Sequence, residues 1–240
     1  MVRFFIPEET FTADITLTGE NAQHAKVLRL KEGEQVLACD GAGREALCTV
    51  AGVNPWVLSL EEIRASTTEA AVSVTVYMAF PKSDKLEHVI QKSTELGAGA
   101  IVAFPSARCV SRPDDKSLKK KLERWQKIAA SAAEQSGRGR IPEVRTLPSY
   151  AAALAEAARA DKAILFYEHE EALTLKMALN ASPYKTVSLL TGPEGGLEEK
   201  EVEQARRSGL QVCTLGRRIL RCETAPLCAL SAVMYDAEEF

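Results

Sequence analysis

Two glycine-bearing loops near the carboxyl-terminal end of the chain hold the residues whose types and spacing could do chemistry. Residues 189–196 read LLTGPEGG and residues 215–225 read LGRRILRCETA. Each loop follows a short apolar run and precedes a predicted helix, an arrangement with which α/β proteins place backbone amides around a ligand at the carboxyl edge of a sheet. Because the two loops are close in sequence, we predict that they share one pocket.

The first loop offers backbone freedom and one carboxylate. Gly192, Gly195 and Gly196 permit a positive φ or a close ligand approach, and Glu194 is the charged side chain among them. A phosphate is not expected, because two glutamates open the next helix and the Gly-Lys-Ser/Thr signature of a nucleoside triphosphate loop is missing. A cationic or neutral ligand fits better, and a strand-to-helix turn without any ligand fits the same residues equally well.

The second loop is basic. Arg217, Arg218 and Arg221 lie close together and next to Glu223, with two apolar residues between the arginines. In such an alternation the apolar residues can contact an aromatic ligand while the guanidinium groups face an anionic substrate. The competing interpretation is a set of surface arginines beside a buried strand end, but three arginines at a predicted carboxyl edge weaken it.

Composition narrows the class of protein. The chain has 240 residues, of which 46% are hydrophobic, enough for one large domain or for a small domain joined to a medium one. The six cysteines include no C-x-x-C pair and the three histidines are far apart, so we expect reduced thiols and no metal. No apolar run approaches the roughly 18 residues of a membrane helix, and no signal peptide is predicted. We expect an unprocessed cytoplasmic protein without membrane contact.

The net charge of −3 is unevenly distributed. Residues 1–70 carry −5, residues 71–150 carry +6 and residues 151–240 carry −4, counting Lys, Arg, Asp and Glu. A basic middle in an acidic protein is typical of a local contact with a polyanion, although a solvated helix face gives the same count.

The basic middle includes a long predicted helix over residues 118–135. Its lysines are typical of a solvated helix face, and Trp125 has helical spacing with apolar neighbours, so we expect Trp125 in the core. Arg138 and Arg140, on the glycine-containing segment that follows, are better candidates for phosphate contacts. His24 is interpreted as a satisfied histidine and not as a catalytic base.

The elements that must position these residues follow two patterns. Up to about residue 63 the chain alternates in short runs separated by turn residues, which predicts a small β-barrel with one short helix near residues 21–30. Residues 41–46 (GAGREA) match a dinucleotide-binding motif in form, but another alternating run follows, so a hairpin turn is predicted there. Residues 65–71 are a predicted linker.

After the linker, strand and helix patterns alternate as far as a closing helix over residues 226–237. Strands separated by helices of ten or more residues predict a mainly parallel sheet with helices on both faces, so the fold class is α/β. We therefore place a barrel domain in residues 1–70 and an α/β domain in residues 71–240.

Short motifs occur in a fixed order along the chain: HxxxLR at 24–29, KxxELG at 92–97, ERW at 123–125, EQSxR at 134–138, GPEGG at 192–196 and LGxxILRxETA at 215–225. Together they resemble the bacterial RsmE family, the methyltransferases that modify N3 of a uridine in 16S rRNA. The resemblance extends from Arg3 nearly to the end of the chain. Cys222 departs from it, because threonine is expected there, which puts the hydrogen bond of that side chain in question.

The resemblance implies a PUA-like β-barrel that binds RNA, followed by a methyltransferase domain of the SPOUT class. In that class the chain forms a trefoil knot, S-adenosylmethionine binds among the knotted loops, and two subunits form a homodimer. The implied activity is S-adenosylmethionine-dependent methylation of uracil N3 in 16S rRNA of the small ribosomal subunit. The alternative is a non-catalytic RNA-binding protein for ribosome assembly, which would keep the fold and bind no cofactor.

The resemblance also implies roles for particular residues. Arg221 would stabilise the uracil anion, and Glu223 is the nearest candidate base. The cofactor walls would be Phe166, Leu190, Thr191, Gly192, Glu194, Gly195, Gly196, Leu215, Gly216, Ile219 and Leu220. The RNA contacts would come from Arg3, Lys26, Arg29, Arg112, Arg138 and Arg140.

Overall fold

The chain folds into two compact units. The computed structural model describes residues 1–11, 14–110 and 113–240. One unit comprises Met1–Glu69 and Ala133–Ile141, and the other comprises Ala70–Ala132 and Pro142–Phe240. The predicted boundary at residue 70 made each domain one continuous stretch of sequence. It did not include residues 133–141, the segment that returns to the first unit.

The carboxylate of Glu69 makes several of the contacts that hold residues 133–141 in the first unit. Glu69 accepts hydrogen bonds from the backbone N–H groups of Gly139 and Arg140 at 3.1 and 3.0 Å, and its Oε2 lies 2.7 Å from a guanidinium nitrogen of Arg138. Ile141 N–H donates to the carbonyl of Gly41. These contacts join residues about 70 to 100 positions apart in sequence, which a reading of local patterns does not detect.

The first unit is built on a curled five-stranded sheet in the order β1-β3-β4-β5-β2. Only β1 and β3 pair in parallel; the other neighbours are antiparallel. The strands are β1 Arg3–Phe5, β2 Asp14–Thr16, β3 Gln35–Cys39, β4 Arg44–Val53 and β5 Trp56–Ala65, and helix α1 is Gly19–Val27. The helix predicted near residues 21–30 is therefore present as α1, and the short alternating runs predicted up to about residue 63 form the five strands.

The turn between β3 and β4 shows why the dinucleotide motif was correctly rejected. Asp40 Oδ1 accepts hydrogen bonds from the N–H groups of Ala42 and Arg44, which closes a tight hairpin turn around Gly41. No helix begins there, so the glycines serve the turn. Alternate side chains of the sheet, including Phe4, Ile15 and Leu58, are fully buried in the core of this unit.

The second unit is built on a six-stranded sheet in which every pairing is parallel, in the order β11-β9-β10-β6-β7-β8. The strands are β6 Ser73–Ala79, β7 Ala100–Phe104, β8 Glu143–Thr146, β9 Lys162–Phe166, β10 Thr186–Thr191 and β11 Gln211–Cys213. The helices are α2 Lys85–Glu95, α3 Asp115–Ser136, α4 Tyr150–Ala157, α5 Leu175–Asn180, α6 Glu199–Arg207 and α7 Thr224–Asp236.

Burial explains why this sheet is parallel and central. All five residues of β9 and the last five of β10 are buried. Because successive side chains of a strand point to opposite faces, both faces of the sheet are covered, as parallel sheets require. Strand β8 was not predicted, since its sequence EVRT at the sheet edge has a single apolar residue.

Three parallel strands deliver the loops of interest to one edge. Strands β11, β9 and β10 are neighbours, and their carboxyl ends lie at the same side of the sheet. The segments that follow them are residues 166–168, 192–198 and 214–223. The strand order therefore brings the two glycine-bearing loops to the same edge of the sheet.

Candidate active site

A cavity of about 530 Å³ lies at this edge, between the three segments. Of the predicted cofactor residues, ten line it: Phe166, Thr191, Gly192, Glu194, Gly195, Gly196, Leu215, Gly216, Ile219 and Leu220. Leu190 does not, because its side chain is fully buried within β10. Arg221 lines the cavity as well, together with Lys85, which the sequence interpretation did not include.

The first loop depends on glycine at a specific position. Gly196 has φ +66° and its N–H donates to the carbonyl of Pro193, closing the turn. A Cβ at Gly196 would overlap Glu168 Oε1, the end of an exposed side chain, whereas a Cβ at Gly192 would lie 3.1 Å from Leu197 and 3.2 Å from the backbone of Gly196. The positive φ of Gly196 and the lack of space at Gly192 therefore favour glycine at these two positions of the loop.

The first loop is also fixed from outside. Glu194 Oε1 accepts a hydrogen bond from Lys82 N–H at 3.0 Å and lies 3.1 Å from Lys85 Nζ. The guanidinium of Arg108 donates to the carbonyl of Gly195 at 2.9 Å. Burial alone would raise the pKa of Glu194, but the backbone and lysine hydrogen bonds outweigh it and hold that pKa below its usual value.

A buried carboxylate anchors the helix that follows. Glu201 is 6% exposed, and its two oxygens accept hydrogen bonds from the N–H groups of Ala107 and Glu198, both at 2.9 Å. The second bond is one half of the capping box that starts α6. The first bond ties residues 105–109, which carry Arg108, to the same helix.

The second loop has no regular secondary structure between β11 and α7. Gly216 has φ +102°, and its N–H donates to Thr214 Oγ1. Ile219 is 78% exposed and lines the cavity, so an apolar ligand surface is available to a bound molecule. Arg218 and Arg221 line the cavity too, and neither forms an ion pair with any residue in the described part of the chain.

Lys85 is the site residue that the sequence interpretation missed. Its Nζ lies 3.1 Å from both Glu194 Oε1 and Glu223 Oε2. Hydrogen bonding to Glu223 and then Glu194 raises the pKa of Lys85 above its ordinary value, so the amine is an ammonium ion. A signal was available, because a lysine in the first turn of a helix opposes the helix dipole.

Cys222 and Glu223 complete the cluster. The thiol of Cys222 donates to Glu223 Oε2 at 3.2 Å, so the hydrogen bond that was in question at this position is made by sulfur. Burial and this bond raise the pKa of Cys222 to about 12. The pKa of Glu223 is lowered, first by its own backbone N–H and also by Cys222 and Lys85. Glu223 is therefore ionised at neutral pH.

The predicted RNA-contacting arginines occupy different environments. Arg3 pairs with the buried Glu45 at 2.7 Å, and Arg138 is 4% exposed and pairs with Glu69. Arg140 is exposed and donates to the carbonyl of Ala42. Lys26 and Arg29 are exposed as well. Arg112 lies outside the described residues.

A second concavity lies on the first unit, at the end of α1. Lys26 and Arg29 line it together with Lys31, Pro55 and Trp56. The sequence interpretation did not include Lys31 or Trp56. An aromatic ring among basic side chains is a typical surface for a nucleotide, which offers both a phosphate and a base.

Two further predictions concern metal and membrane. Within residues 1–11, 14–110 and 113–240, no group of three or more His, Cys, Asp or Glu side chains could hold a metal ion. Among the helices described, none has the length and hydropathy needed to cross a bilayer.

In α3, Trp125 is 5% exposed, which confirms its predicted place in the core.

Comparison with known proteins agrees with this geometry. The family model described as an RNA methyltransferase domain matches residues 68–234, and the one described as an RNA methyltransferase PUA domain matches residues 17–55. The parallel sheet, the cavity at its carboxyl edge and these matches define an RNA methyltransferase with a PUA domain.

Relatives of known name narrow this class. The chain is 42% identical to the ribosomal RNA small subunit methyltransferase E of Bacillus subtilis (strain 168), with 99% of this chain and 98% of the relative aligned. It is 36% identical to the enzyme of that name from Mycobacterium tuberculosis (strain CDC 1551 / Oshkosh), over 90% and 84% of the two chains. The crystal structure of that enzyme from Neisseria gonorrhoeae, bound to S-adenosyl methionine, superposes with a TM-score of 0.84 at 31% identity, over 98% and 97% of the chains. The chain belongs to the ribosomal RNA small subunit methyltransferase E family.

Proposed function

We propose that this protein transfers a methyl group from S-adenosylmethionine to N3 of a specific uridine in 16S rRNA. The observation that carries the proposal is the cavity formed by residues 166–168, 191–197 and 214–222, in a chain whose relatives carry the name of a small-subunit rRNA methyltransferase. The related structure from Neisseria gonorrhoeae holds S-adenosyl methionine, which supports the same cofactor here.

The cavity suits that cofactor chemically. Phe166, Leu215 and Ile219 offer apolar surface to an adenine ring, and the glycines at 192, 195 and 196 leave backbone groups accessible. Lys85, Glu194 and Glu223 together carry a net charge of −1, which favours a positively charged sulfonium. Bound here, S-adenosylmethionine supplies an electrophilic methyl group.

The chain's own residues must make N3 of uracil a nucleophile. The N3–H group is a weak acid, and a guanidinium next to a uracil carbonyl oxygen stabilises the anion that forms when the proton leaves. We assign this role to Arg221, which lines the cavity without an ion-pair partner among the described residues. The lowered pKa of Glu223 makes it a weak proton acceptor, so we assign it to holding Lys85 and the start of α7.

RNA binding is proposed for the exposed basic residues. Lys26 and Arg29 lie beside Trp56 on the first unit, and Arg140 has an exposed side chain. To reach phosphate, Arg3 would have to leave the buried Glu45, and the buried guanidinium of Arg138 would have to leave the half-buried Glu69, so we propose that both arginines stabilise the first unit. The predicted role of Arg112 stays a prediction.

The SPOUT class, with its trefoil knot, is part of this proposal. Helix α7 follows the edge strand β11, yet it packs against α2, β6 and β10 near the middle of the sheet. The chain thus leaves the edge strand and returns to the middle of the sheet, a path that supports a knotted segment around residues 214–223.

A homodimer is also proposed. The exposed fractions of Tyr235 and Phe240, at and beyond the end of α7, are 78% and 71%, and that of Met177 is also above half. Aromatic and aliphatic side chains of this size favour burial against a second copy. Sedimentation of the purified protein as a dimer would support this; a monomer at micromolar concentration would refute it. We also propose a cytoplasmic location, because the proposed substrate is a ribosomal subunit.

Calorimetric titration with S-adenosylmethionine tests the proposal against the assembly-protein alternative. We expect saturable binding at one site per chain. A folded protein that releases no heat and shows no shift in melting temperature with the cofactor would contradict methyl transfer and favour the non-catalytic alternative.

A further inference from the structure

Lys85 lies between the two loops of the proposed active site and is bound to both. Its ammonium nitrogen is equidistant, at 3.1 Å, from a carboxylate oxygen of Glu194 and from one of Glu223. The three side chains are 27–30% exposed, so water only partly screens the interaction. A single cation shared by two carboxylates holds together groups that would otherwise repel.

The contact between Lys85 and Glu194 holds the cofactor loop, residues 192–196. Glu194 lies in the turn between Gly192 and Gly196, and the oxygen that contacts Lys85 also accepts the N–H of Lys82. The loop after β10 is therefore attached to the start of α2 by a backbone bond and by an ion pair. Without the ammonium, only the backbone bond would remain.

The contact between Lys85 and Glu223 holds the backbone next to Arg221. Glu223 immediately precedes α7, and its side chain makes no capping bond to that helix. The N–H groups of Thr224 and Ala225 donate to the carbonyl of Arg221, at 2.9 and 3.0 Å. A displacement of Glu223 would move the first turn of α7 and, through these two bonds, the backbone of Arg221.

The same geometry excludes Lys85 as the base that accepts the N3 proton. Two carboxylates keep the side chain protonated, and an ammonium ion cannot accept the N3 proton. Lys85 lies between the cofactor loop and the substrate-facing loop. This position suits a residue that holds the two loops together and does not accept the substrate proton.

We propose that Lys85 is a positioning residue, which sets the distance between the cofactor loop and Arg221 by binding Glu194 and Glu223 together. The inference rests on the proposed methyl transfer. Its physical basis is that an in-line transfer depends on sub-ångström placement of donor and acceptor, so loosening the two loops slows the reaction more than it weakens either binding step.

The test compares Lys85→Met and Lys85→Arg with the control Lys176→Met. Lys176 is an exposed lysine on α5 that does not line the cavity. For each full-length variant, hydrogen–deuterium exchange of the ligand-free protein is measured first, followed by cofactor affinity by calorimetry and turnover on small subunits. A thermal melt confirms that each variant is folded.

For Lys85→Met we expect kcat to fall by about 30-fold or more, because misplacement of reacting groups by about 1 Å can cost two orders of magnitude. The KM for the subunit should change little, and amide exchange should rise both at residues 192–197 and at residues 221–226. Lys85→Arg should recover most of kcat, and Lys176→Met should match the wild type.

Three results would overturn the inference: a kcat for Lys85→Met within twofold of wild type, a loss confined to cofactor affinity, or faster exchange at only one of the two loops. Failure of the methyl-transfer proposal has a different signature. The wild type itself would then show no turnover, while the exchange measurement would still report whether Lys85 couples the loops.

Discussion

The charged residues around the cavity divide into a paired group and an unpaired group. Lys85, Glu194 and Glu223 satisfy one another, whereas Arg218 and Arg221 line the cavity with no ion-pair partner in the described chain. Pairing fixes a side chain in place, and an unpaired guanidinium remains available to a substrate. We therefore expect the first group to organise the site and the second to contact RNA.

Replacing Arg221 by alanine should separate catalysis from cofactor binding. Losing a cation that stabilises a developing anion typically costs about 100-fold or more in kcat. We expect that loss in Arg221→Ala, with cofactor affinity unchanged by calorimetry. Arg217→Ala, which removes an exposed arginine of the same loop that does not line the cavity, is the matched control. Equal turnover by Arg221→Ala and wild type would remove Arg221 from the mechanism.

Gly196 tests the shape of the cofactor loop. Alanine there would combine a positive φ with a Cβ that overlaps Glu168 Oε1, so the exposed Glu168 side chain, which lines the cavity, would have to move, and we expect Gly196→Ala to weaken cofactor binding. Gly209→Ala is the control: its φ is +90° but nothing lies within 4 Å of the added Cβ. It should lower stability by about 1–3 kcal/mol from backbone strain and leave the affinity intact. If both variants bind the cofactor like wild type, the loop is only a turn.

Single residues also show how far sequence reasoning reaches. The glycines and arginines of the two loops were recognisable, because their types are unusual at the end of a buried strand. The ion pairs of Arg3 and Arg138 could not be predicted from the sequence, since their partners Glu45 and Glu69 are 42 and 69 positions away. The position of Lys85 at a helix start was a signal in the sequence, but its role was not predicted because its two carboxylate partners lie more than 100 residues further along the chain.

At the scale of elements, the sequence predicts those with strong periodicity and misses those that depend on neighbours. Strands such as β9 are continuous apolar runs, and helices such as α3 have a clear apolar face, so both were predicted. Strand β8 is stabilised as a strand by pairing with β7, which its own four residues do not reveal. Strand order, and therefore the sharing of one edge by three loops, likewise comes only from pairing.

The curled sheet of the first unit contains an ion-pair cluster that should make its stability depend on pH. Arg3 and Arg64 both bind Glu45, which is 1% exposed. Burial would raise the pKa of Glu45, but the two arginines outweigh it and lower that pKa below its ordinary value of 4.5. A depressed folded pKa means stability that is complete above the unfolded pKa and is lost as the pH falls through the folded value.

We therefore expect the first unit to lose stability below about pH 4.5, with Glu45→Gln reducing that acid dependence and lowering stability at neutral pH. Trp56 fluorescence, in a Trp125→Phe background, reports urea unfolding of this unit, because the two tryptophans lie in different units. Glu143→Gln, whose side chain is 68% exposed in the second unit, is the control. An unchanged pH profile in Glu45→Gln would contradict the assignment.

At the scale of the whole molecule, the net charge of −3 is unevenly distributed, so basic surface for RNA is confined to particular regions. An acidic protein must bind rRNA through local basic surfaces, and the first unit offers Lys26, Arg29 and Lys31 beside Trp56. Counterion release makes such contacts dependent on salt. The sequence indicated a polyanion partner from the basic middle of the chain, but several of those charges are engaged in ion pairs, as Arg138 and Arg145 show.

Salt titration of RNA binding distinguishes the two kinds of arginine. Arg29→Met should lower the slope of log K against log salt by about 0.7–0.9, the value for one phosphate contact. Arg138→Met should leave the slope unchanged and lower the melting temperature, since it removes a buried guanidinium that pairs with Glu69. The reverse pattern would show that Arg138 contacts the RNA and that Arg29 does not.

Transfer of an isotope-labelled methyl group tests methylation of uracil N3 most directly. Small ribosomal subunits from a strain that lacks this protein are incubated with the purified chain and methyl-deuterated S-adenosylmethionine, and the 16S rRNA is digested and mapped by mass spectrometry. We predict labelled 3-methyluridine at one position, and none with Arg221→Ala. Absence of labelled 3-methyluridine with a folded, cofactor-binding wild type, or label on another base or on ribose, would contradict the assignment.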